Sequence, residues 1–172
     1  MGQGAPGTVP PPRLPTPFVW QVPAAAPDMA PRAHSGFVFG LVSPLACLNA
    51  VVLDHVAQIL LESPQARLLV LTNVDAKDEV TLQRIRRLLA LREVAPDRVE
   101  IVPKTGAEER LNHLRQMDVV LDTFPQPLGY SALDCLWMGA AVLSLSGDQS
   151  WQRVTLSVLR PLGLDDWAVT DW

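Results

Sequence analysis

GFVFGLVSPLACLNAVVLDHVAQILLESPQARLLVL, residues 36–71, sets the pattern for the rest of the chain. Gly36 to Val42 is a short run of apolar, β-branched and aromatic residues, which predicts a strand. Asn49 stands where a helix N-cap is needed, and Val52, Val56, Ile59 and Leu60 follow at i, i+4, i+7 and i+8. That spacing makes one apolar helical stripe, stopped at Ser63-Pro64. Leu68-Leu69-Val70-Leu71 is apolar without alternation, as a parallel strand covered on both faces should be.

Downstream the same alternation continues. Asp78 to Val94 predicts a helix with Leu82, Ile85 and Leu89 inward, ended by Ala95-Pro96-Asp97. Arg98 to Val102 predicts a strand, Glu108 to Gln116 a short helix, and Val119-Val120-Leu121 a strand. Ser131 to Met138 then predicts a helix, Ala140 to Leu145 a fifth strand, and Gln152 to Arg160 a last helix before Pro161. Strands alternating with helices over short connections call for a parallel sheet covered on both faces. The fold expected is therefore an α/β, Rossmann-like, doubly wound domain over residues 36–172.

Residues 1–35 differ in composition, with nine of the sixteen prolines and three charged side chains, Arg13, Asp28 and Arg32. Proline fixes φ and removes backbone donors, so an extended or disordered proline-rich tail or linker is expected there. Pro17-Phe18-Val19-Trp20 at its end carries two aromatics suited to packing on the domain. The whole chain has 172 residues, 48% hydrophobic and 19% charged, with a formal net charge of −4. With only two lysines, Lys77 and Lys104, this argues against a nucleic-acid surface. No apolar run approaches the ~20 residues of a membrane span, and no secretory signal opens the chain. Two cysteines, Cys47 and Cys135, are too few for a disulfide framework and suit a reducing, cytoplasmic setting.

Ligands in such a sheet bind beyond the carboxyl ends of the strands. The segments reaching that edge are Ser43 to Leu48, Pro103 to Ala107, Asp122 to Tyr130 and Ser146 to Ser150. The third is a long, proline-stiffened connection into a helix at Ser131, whose N-terminal N–H groups suit a phosphate. Asp134, one turn on, suits a ribose diol. On spacing alone, Ser131 reads first as an N-cap and Asp134 as a carboxylate favoured by the helix dipole. Cys47 has no His or Arg near it in sequence to activate it, and both thiols read as buried and inert. No Cys/His spacing points to a metal, and neither G-x-G-x-x-G nor a Walker A loop is present.

Residues 117–164, MDVVLDTFPQPLGYSALDCLWMGAAVLSLSGDQSWQRVTLSVLRPLGL, resemble the catalytic region of the O-GlcNAc transferase and SPINDLY-like family. Asp122-Thr123-Phe124-Pro125, Leu136-Trp137-Met138-Gly139, Gly147-Asp148, Arg153-Val154 and Leu162-Gly163-Leu164 carry the match. Phe39-Gly40, Leu48-Asn49, Ala57-Gln58-Ile59-Leu60 and Ala95-Pro96-Asp97-Arg98-Val99 extend it upstream. The resemblance implies a single C-terminal, donor-binding lobe of a GT-B glycosyltransferase. Such enzymes pass GlcNAc from UDP-GlcNAc to Ser or Thr of proteins with inversion, and some SPINDLY-like members use GDP-fucose. It implies no metal and no cofactor, and a nucleotide sugar as partner. It also implies an N-terminal catalytic lobe and a helical repeat region, for which these residues have no counterpart.

The resemblance assigns Gly129, Tyr130 and Ser131 to the phosphates and Asp134 to the ribose. Thr105 falls where a backbone group meets the uracil, Arg110 replaces a nucleoside-contacting His, and Cys47 replaces the lysine that balances the diphosphate. Leu128-Gly129-Tyr130-Ser131-Ala132 stands for Gly-Gly-Thr-Thr-Thr, so Tyr130 either donates its hydroxyl or blocks the pocket. No catalytic residue is assigned, and the lobe is expected to be inactive alone. A non-catalytic nucleotide-sensing or protein-interaction module is the competing expectation, and a gene fragment is the third. The end at Asp171-Trp172 favours truncation, which would leave Trp151, Trp167 and Trp172 as an exposed apolar patch.

Overall fold

The structure, a computed structural model, describes residues 20–24, 26 and 36–170. Strand β1 (Val38–Val42) leads into α1 (Ala50–Glu62), β2 (Arg67–Leu71) and α2 (Glu79–Ala90). Then come β3 (Val99–Val102), α3 (Ala107–Leu114), β4 (Val119–Leu121) and α4 (Ser131–Trp137). Strand β5 (Ala141–Leu145), α5 (Val154–Leu159) and β6 (Ala168–Val169) complete the order. All six strands pair in parallel in the order β3-β2-β1-β4-β5-β6. The order reverses between β1 and β4, the topological switch point of a doubly wound sheet.

Side-chain alternation sends each strand's residues to two cores. Leu68 and Val70 of β2 join Leu41 and the inward faces of α1 and α2 on one side. Leu69 and Leu71 of the same strand join Leu111, Leu114, Val120, Cys135 and Val158, from α3 to α5, on the other. A Cβ at Gly40 would lie 2.2 Å from Sδ of the fully buried Met117, so any larger residue there would force Met117 to shift within the second core.

The expected elements hold with three adjustments. Helix α2 closes at Ala90 rather than Val94: the Val94 amide bonds back to the Leu89 carbonyl, with Glu93 left-handed at φ 64°. The last helix is divided, because Ser150–Arg153 and Arg160–Leu162 form 3₁₀ turns on either side of α5. Strand β6 has only two residues, too few to leave a period in the sequence.

Asn49 caps α1 as expected, its side chain accepting from the Val52 amide at 3.1 Å. Ser131 does not cap α4: it is the first helical residue, after Tyr130 at the cap position. Most of the proline-rich tail lies outside the described residues, Phe18 included. Trp20 and Ala26 pack against the second core. Of the three tryptophans expected to form a patch, Trp151 is exposed, Trp167 packs on that core, and Trp172 lies outside the described residues. Among the described residues, no helix is long and apolar enough to cross a membrane.

Candidate functional site

A cleft of about 420 Å³ opens at the carboxyl ends of β1 to β4, at the switch point. Its floor is set by two loops. The first, between β1 and α1, brings Ser43 and Cys47 to the cleft; the second, between β4 and α4, brings Thr123, Leu128 and Ser131. The loops are tied to each other, with the Ser43 and Thr123 hydroxyls 3.2 Å apart. The Asn49 amide also donates to the Phe124 carbonyl at 2.7 Å. One residue thus caps α1 and anchors the opposite loop.

The shape of the second loop comes from Asp122. Its half-buried carboxylate accepts from the Thr123 amide at 2.8 Å, the Leu128 amide, and the Ser144 hydroxyl at 2.7 Å. Burial raises its pKa above the usual carboxylate value, and hydrogen bonds from Ser144, Thr155 and the two amides work in the opposite direction. Thr123 adds a bond from its hydroxyl to the Gln126 carbonyl at 2.7 Å. This network holds the nine-residue loop, 122–130, around one side chain.

Of the residues assigned by sequence, Cys47, Thr105, Arg110 and Ser131 border this cleft together. Gly129, Tyr130 and Asp134 are not among the residues lining it. Gly129, at φ +62°, has its amide bonded to the Thr155 hydroxyl at 2.9 Å. Tyr130 is exposed beside it and does not fill the pocket. The helix start is also less open to a phosphate than expected. The Ala132 and Leu133 amides already bond to the Gly129 and Tyr130 carbonyls, at 3.1 and 3.0 Å.

Asp134 lies behind Arg110, with one oxygen 3.1 Å from the guanidinium and the other accepting from the Trp20 indole N–H at 3.2 Å. Lys104, which the sequence reading did not assign, lines the same cleft as Arg110. It sits at the end of β3, where its backbone amide bonds to the Val74 carbonyl at 2.7 Å. Its position on a ligand-facing edge was the available signal. Lys104 and Arg110 give the cleft two cationic side chains. Cys47 is a buried free thiol bordering it. Cys135 is core, as expected, its thiol pushed up to about 12 by burial. Among the described residues, no His/Cys/Asp/Glu group is arranged to hold a metal ion.

No protein-family model matches the chain. A Petunia hybrida protein named "Probable UDP-N-acetylglucosamine--peptide N-acetylglucosaminyltransferase SPINDLY" is 34% identical over 157 residues, covering 88% of this chain and 17% of that protein. The tomato protein of the same name is 32% identical over 159 residues, covering 90% of this chain and 17% of its own. The Thermobaculum terrenum O-GlcNAc transferase, solved as a lysine-to-methionine mutant, superposes with a TM-score of 0.80 at 35% identity. That match covers 87% of this chain and 28% of the solved one.

The chain is homologous to a segment of the SPINDLY-like O-GlcNAc transferases. The α/β, Rossmann-like fold matches the C-terminal lobe implied by the sequence resemblance. This SPINDLY-like segment spans less than a fifth of the plant relatives it matches.

Proposed function

We propose that the cleft binds a nucleoside diphosphate sugar, UDP-GlcNAc, and that the chain is the donor lobe of a protein O-glycosyltransferase. The observation that carries this reading is the placement of Lys104 and Arg110 on a switch-point cleft, in a fold homologous to an O-GlcNAc transferase. Two cations offset the charge of a diphosphate, through point attraction from the ammonium and fork geometry from the guanidinium. Thr105, Thr123 and Ser131 add hydroxyls along the same surface. The 172 residues alone transfer no sugar in this reading, because GT-B chemistry takes place between two facing lobes. A partner region carrying the acceptor site completes the reaction. The unpaired thiols of Cys47 and Cys135 suit a cytosolic protein.

A second reading, nucleotide binding without transfer, is favoured by Cys47. A buried thiol borders the cleft where the family resemblance calls for a lysine. Losing a group that stabilises a leaving diphosphate costs ~3–4 kcal/mol of transition-state stabilisation. Calorimetric titration of the full chain with UDP and with GDP tests the binding both readings share. Heat with UDP that disappears in the Lys104→Ala, Arg110→Ala double variant supports it. No heat with either nucleotide, on protein with a cooperative melt, rejects it. Transfer to an acceptor peptide by the purified chain alone would reject the single-lobe account and the non-catalytic reading together.

A further inference from the structure

Asp134 is spoken for on both sides. Its Oδ2 receives Arg110 at 3.1 Å, and its Oδ1 receives the Trp20 indole N–H at 3.2 Å, from a residue 114 positions earlier in the chain. Neither side chain of the ion pair is well exposed, at 30% for Arg110 and 22% for Asp134. The Trp20 ring also lies against Trp137, with centroids 5.6 Å apart and planes tilted by 51°. Asp134 and Trp137 are three residues apart on α4 and share one face. Trp20 is therefore held at two points, through its ring and its N–H.

Of this group, Arg110 alone borders the cleft. We infer that Trp20 and Asp134 are positioning residues that hold the Arg110 guanidinium at the cleft, so that nucleotide affinity depends on a segment outside the sheet. The inference rests on the nucleotide-binding reading given above. A long guanidinium side chain free to rotate loses that freedom when ligand binds, and one fixed beforehand loses less. Asp134 fixes one side of the fork, and Trp20 keeps Asp134 from turning away. Asp134 then acts on the nucleotide through Arg110 rather than by touching it.

Titration of the full chain with UDP tests this on Trp20→Phe, Asp134→Asn and Arg110→Ala, singly and in pairs, with melting temperatures alongside. Phenylalanine keeps an aromatic ring for Trp137 and removes the indole donor, and the melting temperature reads the packing lost with the smaller ring. Trp20→Phe and Asp134→Asn should each weaken UDP by about three- to tenfold. In the Arg110→Ala background the same changes should cost less than about twofold, because residues acting through one group are not additive. A loss from Asp134→Asn that persists in full without Arg110 would mean direct contact with the nucleotide and overturn the inference. Unchanged or tighter binding on either substitution would overturn it as well. Side-chain NMR of ¹⁵N-arginine-labelled protein supplies a readout without ligand. The Arg110 Nε–H should be ordered in the wild type and mobile in Trp20→Phe, and an unchanged signal overturns the relay. If the wild type does not bind UDP while Arg110 loosens as expected, the nucleotide-binding reading falls and the relay remains.

Discussion

The two loops that floor the cleft solve the same problem by different means. The β1–α1 loop is short and ends in a helix cap, with Asn49 satisfying the Val52 amide. The β4–α4 loop is longer and is folded around a half-buried carboxylate, Asp122, that gathers two amides and the hydroxyls of Ser144 and Thr155. A cap is local, so it shows in the sequence next to the helix it serves. A buried acceptor joins distant residues, and its loss strands every donor it served. The second loop is therefore the more brittle of the two, and the first depends on it through Asn49 and Ser43.

Asp122→Ala should have the largest effect. It leaves two backbone amides and the Ser144 and Thr155 hydroxyls without this acceptor, at about 1–3 kcal/mol for each group left unmatched away from water. Urea unfolding should show a loss of about 3 kcal/mol or more, and a loss below ~1 kcal/mol would dissolve the contrast between the loops. Asn49→Ala removes the α1 cap and the bond to the Phe124 carbonyl together. About 1–2 kcal/mol is expected in the same assay. Pairing it with Ser43→Ala measures how far the first loop relies on the second.

Cys47→Lys tests the loops as binding surfaces. It places an ammonium at the cleft beside Lys104 and Arg110. UDP affinity should rise about tenfold, or ~1.4 kcal/mol, by calorimetry. No gain, on a variant that melts like the wild type, would separate this position from the diphosphate.

The smallest effect is the pH dependence of Asp122. Its carboxyl holds a proton more tightly in the folded chain than at the ordinary value of 3.8. The folded state therefore binds more protons than the unfolded one between those two values. The stability contributed is full below 3.8 and fades as pH rises through the raised folded value. Relative to Asp122→Asn, the wild type should gain stability as pH falls from about 7 toward 4, read from urea midpoints. The opposite slope would mean that the loop's hydrogen bonds outweigh its burial.

The same division between local and distant interactions explains what the sequence discloses. Strands β1 to β5 were legible within a residue or two, because buried parallel strands are unbroken apolar runs. Asn49 is legible because the amide it caps, that of Val52, lies three residues away. Asp122 is legible as the start of a loop and of the Asp-Thr-Phe-Pro match, but not as its organising acceptor, since Ser144 is 22 residues distant. Asp134 looked like a first-turn carboxylate, and neither Arg110 nor Trp20 could be attached to it from spacing. Lys104 lies in a segment that the sequence places at the ligand edge, but spacing does not show that its side chain shares a cleft with Arg110. Family resemblance brought Cys47, Thr105, Arg110 and Ser131 together before the fold did.

Amide chemical-shift mapping of the full chain during UDP titration tests the central claim most directly. The account predicts perturbations around Cys47, Lys104, Thr105, Arg110 and Ser131, fading with distance from the β1–β4 switch point. Shifts confined to the far edge, around Gly147 to Arg153, or no shifts in a well-folded spectrum, would contradict it.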